Sequence, residues 1–263
     1  MQIRLALAAR SQAGLEETAA LCKGDGVDVL LVPTDVSARA ACKAMIDRVV
    51  TRWGRIDDLF LNAGISMCTA IESVTEEGMD LFEKLIEVNY YGVVYPSVYA
   101  LKHMDHGSTL TLVSSVAGQV GVPFRSGYSA SKMAAQGFVH ALRAETKGRV
   151  SVTIACPGWV ETNIRASRLV GSGGTDGAKP LDEEGKKKTK VMEVDECASL
   201  ILRSTACKDR TLVMKAPIMV YLNPFIPAVV DAFVMRTAAH AAALDGIYIP
   251  EFPGLAAESK KTK

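Results

Sequence analysis

Six short apolar runs, each closed by turn residues and separated by longer stretches of helical period, set the tightest limit on what this chain can fold into. The runs are Ile3 to Ala8, Val27 to Val32, Asp58 to Leu61, Thr109 to Val113, Val150 to Ala155 and Thr211 to Met214. Helical stretches lie near Leu15 to Lys23, Ala38 to Trp53, Met79 to Lys102, Tyr128 to Thr146 and Asp195 to Cys207. Runs this apolar need cover on both faces, and a helix between successive strands supplies it while forcing them to pair in parallel. The pattern predicts an α/β fold: a doubly wound parallel sheet with right-handed crossovers.

Composition narrows the function classes. A chain of 263 residues that is 49% hydrophobic buries one sizeable core. Residues 1–216 read as that domain, and 217–263 as an apolar C-terminal extension with a basic tail. Thirty basic against 29 acidic side chains leave a formal charge of +1, too little for a field that gathers nucleic acid. The six cysteines form no Cys-x-x-Cys pair and have no histidine at zinc-ligand spacing, so they read as reduced thiols with no metal. The apolar N-terminal stretch is too short for a signal peptide.

Residues 171–190, rich in glycine and charge, predict a mobile loop over a site or plain disorder. Ile218 to Met235 is apolar but is broken by Asn223, Pro224, Pro227 and Asp231, which predicts a packed or membrane-surface helix rather than a span. Lys260 and Lys261 stand fourth and third from the end, as in dilysine retrieval signals; a basic tail is the simpler reading. Location is left open between cytosol and the surface of the endoplasmic reticulum.

The chemistry-bearing residues cluster at predicted strand ends. Tyr128 and Lys132, four apart, share one helix face, so an ammonium stands beside a phenol. Alone, such a pair is as well explained as a surface contact. Ser115, thirteen residues earlier at the end of an apolar run, changes that, because parallel sheets gather ligands at strand C-termini. Asn62-Ala63-Gly64 and Cys156-Pro157-Gly158 end two further runs in the same way.

With these segments the sequence resembles the short-chain dehydrogenase/reductase superfamily, in its type with chains near 250 residues. The resemblance is carried by Leu-Asn-Ala-Gly at 61–64, Val-Asn at 88–89, Val-Ser-Ser at 113–115, Tyr-Ser-Ala-Ser-Lys at 128–132 and Pro-Gly-Trp-Val-Glu-Thr at 157–162. Leu-Ile-Glu-Val-Asn-Tyr-Tyr-Gly, Gly-Trp-Val-Glu-Thr-Asn-Ile and the apolar C-terminal extension look most like the member-seven dehydrogenase/reductase group.

The resemblance implies a Rossmann-like sheet and hydride transfer between a nicotinamide and a small apolar carbonyl or alcohol such as a steroid, retinoid or lipid. Tyr128 would be the acid/base, with the Lys132 ammonium favouring the phenolate that proton transfer leaves. Lys132 would also bond the nicotinamide ribose. Ser115 would donate to the carbonyl oxygen. Asn89 would hold a water that relays protons to Lys132, unless it bonds only its own helix backbone. Asn62, Ala63 and Gly64 match the adenosine-side segment, Asp35 the adenine contact, and Pro157, Gly158, Val160 and Thr162 the turn that receives the carboxamide. Arg10, after the first run, favours NADP(H) over NAD(H) through a 2′-phosphate, or else points to solvent. The helices holding Asn89 and Tyr128 pair subunits in many relatives, which implies a homodimer. Val116, Val120, Val122, Pro123, Phe124 and Trp159 would line an apolar pocket, or fill the core.

One family feature is missing from the sequence. The family opens with a strand, Thr-Gly-x-x-x-Gly-x-Gly and a helix whose N-terminal amides hold the pyrophosphate. There is no Thr-Gly dipeptide here, and Met1 falls where the second strand would begin. Loss of that central strand would leave two sheet edges unpaired. The expectation is therefore a sheet lacking its first strand and helix, as in a gene model begun at an internal methionine or a shortened splice form. The alternative is a catalytically inactive product acting only through subunit association.

Overall fold

The computed structural model describes residues 3–22, 24, 26–164, 168–172, 191–215, 223, 225 and 228–235. All six expected strands form, and every pairing is parallel. Strands β1 (Ile3–Ala9) and β2 (Val27–Pro33) pair from Ile3 opposite Val27 to Ala9 opposite Pro33. A second sheet has the order β3 (Asp58–Leu61), β4 (Ser108–Val113), β5 (Val150–Pro157) and β6 (Thr211–Met214). Among the described residues β1 pairs only with β2, and β3 only with β4. The single expected sheet is therefore observed as two.

One core still joins them. Val32 of β2 and Met45, Ile46 and Val49 of helix α2 (Arg39–Trp53) pack in one cluster with Leu61, Leu110, Leu112, Val139 and Ile154. Helix α2 starts without a side-chain cap and stops at Gly54, whose φ of 82° is the left-handed conformation glycine adopts cheaply. Helix α1 (Gln12–Leu21) begins three residues before its predicted start, because the Ser11 hydroxyl accepts from the Gly14 N–H and caps it. It buries only Leu15.

The stretch from Met79 to Lys102, expected as one helix, is divided. Helix α3 (Asp80–Ile86) passes through a π-turn over Glu87–Tyr91 into α4 (Gly92–Ala100), and Leu101–His103 forms a 3-10 turn. Pro96 inside α4 has no N–H to donate, and Asn89 in the π-turn bonds away from its own helix. Helix α5 (Ser126–Glu145) starts two residues before Tyr128, and α6 (Val194–Ala206) covers the last strands. Strand β5 runs on to Pro157, which is paired with Met214.

Residues 228–235 are helical with Val230 buried, and no described helix is long and apolar enough to cross a membrane. Residues 173–190 of the expected loop, most of 217–263 and the terminal lysines lie outside the described residues.

Candidate active site

The first turns of α5 carry the central pair. Tyr128 and Lys132 are both buried, at 7% and 3% exposure, so this is not a surface pair. The Lys132 Nζ lies 5.9 Å from the centre of the Tyr128 ring and donates to the Val113 carbonyl, 3.2 Å away, at the end of β4. A buried ammonium is costly unless it is bonded, and one carbonyl satisfies only one of its three donors. Around Tyr128, Met67, Leu81, Leu85 and Ala117 form an apolar cluster that excludes water from the phenol's base.

Ser115 leaves the end of β4 in an extended conformation, and its Oγ accepts from the Ala117 N–H at 3.2 Å. Its neighbour Ser114 turns the other way into the core, where its Oγ accepts from Gln136 Nε2 at 2.8 Å. The structure thus separates two adjacent serines by their faces. Gln136 Nε2 also reaches the Ser115 carbonyl and the Cys156 Sγ, each at 3.5 Å, while Gln119 donates to Gln136 Oε1. Burial pushes the Cys156 thiol up to about 11, so it stays protonated and unreactive at neutral pH. Gly118 has no side chain because a Cβ there would occupy the space of the Gln136 amide.

Asn89 is fully buried and joins two segments. Its Oδ1 accepts from the Ile65 N–H, and its Nδ2 donates to the Ile65 carbonyl and to Ser131 Oγ, all at 2.9 Å. It therefore bonds outside its own helix. A Cβ placed on Gly64 would stand 3.2 Å from Asn89 Oδ1 and 3.3 Å from Lys132 Nζ, so any side chain there would press on both.

The remaining expected positions also fall at strand C-termini. Arg10 directly follows β1 and is exposed. Asp35, just past β2, accepts from the Ser37 hydroxyl at 2.7 Å and the Ser37 N–H at 2.9 Å. Those hydrogen bonds first, and then the charges of Arg10 and Lys84, hold its carboxyl below the ordinary range. Asn62 and Ala63 are exposed just after β3. The Gly158 N–H donates to the Met214 carbonyl at 3.0 Å. Val160 bridges to Met192, and Thr162 is exposed two residues further on.

Of the apolar pocket candidates, Val120 and Phe124 are buried as core. Ser131, Gln136 and Gln119 were not singled out from the sequence. A signal existed for Gln136: with Tyr128 and Lys132 it forms one stripe at four-residue spacing along α5. No group of three or more metal-ligating side chains occurs among the described residues.

A buried Tyr-Lys pair, a serine and a glycine held against the lysine thus gather near the C-terminal ends of parallel strands, where such sheets collect their ligands. The chain belongs to the short chain dehydrogenase family, whose model matches residues 1–170. It is 33% identical over 211 residues to an 11-beta-hydroxysteroid dehydrogenase A of Arachis hypogaea, covering 79% of this chain and 60% of that protein. It is 33% identical over 213 residues to the human dehydrogenase/reductase SDR family member 7, covering 78% and 60%. The chain thus spans about three-fifths of the length of the curated relatives it matches. Among solved structures it resembles an alcohol dehydrogenase of Thermococcus sibiricus complexed with 5-hydroxy-NADP, at 26% identity and TM-score 0.65, over 80% of this chain and 83% of that one. A short chain dehydrogenase/reductase from Burkholderia phymatum in complex with NAD shares the fold at 21% identity and TM-score 0.67, over 96% and 89%.

Proposed function

We propose that this chain carries the catalytic site of an NADP(H)-dependent oxidoreductase acting on an apolar carbonyl or alcohol. The observation that carries the reading is the approach of Lys132 Nζ and Asn89 Oδ1 to the Gly64 backbone, with the same ammonium 5.9 Å from the ring centre of the buried Tyr128. The nicotinamide, when bound, supplies or accepts the hydride. Everything else falls to side chains of this chain.

In the reductive direction the Tyr128 hydroxyl gives its proton to the substrate oxygen, and the Lys132 ammonium stabilises the phenolate left behind. Ser115 Oγ donates to the same oxygen as negative charge grows on it. The unshared Lys132 donors suit ribose hydroxyls. A water seated between Lys132 Nζ and Asn89 Oδ1 returns the proton to the pair. Pro157, Gly158, Val160 and Thr162 form the carboxamide turn, and Asn62, Ala63 and Asp35 the adenosine side. Arg10 favours the 2′-phosphate. Relatives named as steroid dehydrogenases, together with the apolar cluster around Tyr128, support a hydrophobic substrate body. A homodimer pairing the helices of Asn89 and Tyr128 and a loose hold on membrane surfaces belong to the same reading.

The alternative reading is a catalytically inactive family member acting only through subunit association. Fluorescence titration with NADPH and then NADH tests both readings. Binding of NADPH ahead of NADH, followed by carbonyl reduction that falls at least about a hundredfold in Tyr128→Phe, is expected of the enzyme. An active Tyr128→Phe protein would remove the mechanism, and no binding of either dinucleotide would favour the inactive reading.

A further inference from the structure

Beside the site stands a guanidinium that the reaction does not use. Arg125 is the N-cap residue of α5, one turn before Tyr128, so both side chains leave the same end of the helix. Its guanidinium stacks over the Trp159 ring, 4.8 Å from the ring centre, and its Nη1 donates to Ser66 Oγ at 3.1 Å. Three separate segments therefore meet on one cation: the turn after β5, the loop after β3 and the start of α5.

The backbone that presents Arg125 is held in an unusual shape. Phe124 has a φ of 64°, a region bulky side chains rarely enter, and its carbonyl is fixed by the Thr69 N–H at 2.8 Å. Ser66 is itself pinned, because its carbonyl accepts from the Leu169 N–H at 2.8 Å. Among the described residues no carboxylate pairs with Arg125, although the planar fork of a guanidinium offers five donors and Ser66 takes one. A half-buried cation positioned this firmly, with its aromatic face covered and most of its donors unspent, is built to receive an oxyanion.

We propose that Arg125 is a substrate-anchoring subsite that takes the carboxylate of an oxo acid. It rests on the reading of the Tyr128 site as the place where a carbonyl reacts, and adds that the apolar substrate body ends in an acidic group. Trp159 supplies the floor against which that group is held, and Ser66 sets the plane of the guanidinium.

The test uses Trp159 as reporter and needs no turnover. The chain has two tryptophans, so Trp53→Phe leaves Trp159 as the sole indole. Its emission is followed while 6-oxoheptanoate or its methyl ester is added. The acid is expected to bind at least about tenfold tighter than the ester, as a charge-assisted pair provides. In Arg125→Gln, which can still donate to Ser66, the two ligands become equal. Arg125→Lys keeps part of the preference as a point charge without the fork. Equal binding of acid and ester by the Trp53→Phe chain, no response to either, or an acid preference that survives Arg125→Gln each overturns the proposal. A chain that binds the acid through Arg125 and shows no hydride transfer would sink the proposed activity and leave this subsite standing.

Discussion

Strand β4 is buried at five of its six positions and β5 at seven of eight, whereas β1 is buried at none and β2 at one of seven. Sequence alone makes the two pairs look alike, since all four are apolar runs of similar length. The difference comes from neighbours. Strands β4 and β5 have a strand on each side and helices α5 and α6 packed against them. Among the described residues β1 and β2 pair only with each other, with α2 on one face and the thinly packed α1 beside them. A groove of about 420 Å³ opens between α1 and β2. The proposed chemistry follows the same division: Ser115, Tyr128, Lys132 and Asn89 belong to the four-stranded half, while Arg10 and Asp35 close the ends of the two-stranded one. A site that must hold a phenol and an ammonium in register sits in the better packed half. Of the residues assigned to the nucleotide's far end, Arg10 and Asp35 lie in the looser half, while Asn62 and Ala63 follow β3.

The largest contrast is expected from truncating matched leucines. Leu110→Ala in β4, where the side chain is fully buried, should cost about 2–5 kcal/mol in denaturant unfolding, by lost burial and the cavity left behind. Leu5→Ala in half-exposed β1 should cost less than about 1 kcal/mol. Comparable losses would mean that the halves are packed alike.

Two cysteines give a kinetic version of the comparison. Cys42 on α2 and Cys156 on β5 are both fully buried, and burial pushes each thiol up to about 11. Both therefore react only through local opening. With excess thiol reagent at pH 8, Cys42 should be modified at least about tenfold faster, because the two-stranded half opens more readily. Equal rates would show one cooperative unit.

Gly92 is where the halves touch through the turn after β2. A Cβ there would stand 2.7 Å from Val36 Cγ2, so Gly92→Ala should push that turn away and cost about 1–2 kcal/mol. The change should speed Cys42 labelling and leave Cys156 unchanged. The smallest effect is one of pH. Burial first, and then the charges of Arg143 and Arg210, hold His140 on α5 below the ordinary imidazole range. Its contribution to stability is thus fully present above about pH 6.5 and declines as pH falls below that value. His140→Gln should flatten that slope in thermal melts taken from pH 7.5 to 5.

Much of this arrangement was legible beforehand, for physical reasons. Every strand was found because apolar β-branched runs between turn residues have few other uses. The placement of Ser115 at a strand end and of Tyr128 and Lys132 on one helix face was legible because their spacing brings a helix start to a strand end. The division of residues 79–102 was hidden, since an apolar helix and an apolar helix with a π-turn read alike; only Asn89 reaching Ile65 shows where it opens. Gln136 was only half legible: its four-residue spacing from Lys132 puts it on the buried face of α5, but its bond to Ser114 depends on a partner twenty-two residues away. The unequal burial of the two sheets depends on long-range neighbours that no local pattern records.

Hydrogen exchange read strand by strand, with and without NADPH, tests the central claim most directly. The account predicts that amides of β4 and β5 exchange slowest and those of β1 and β2 far faster. NADPH should then slow β1, β2 and residues 34–37 while leaving β4 and β5 nearly unchanged. Uniform protection across both sheets, or protection by NADPH confined to segments remote from the strand C-termini, would contradict it.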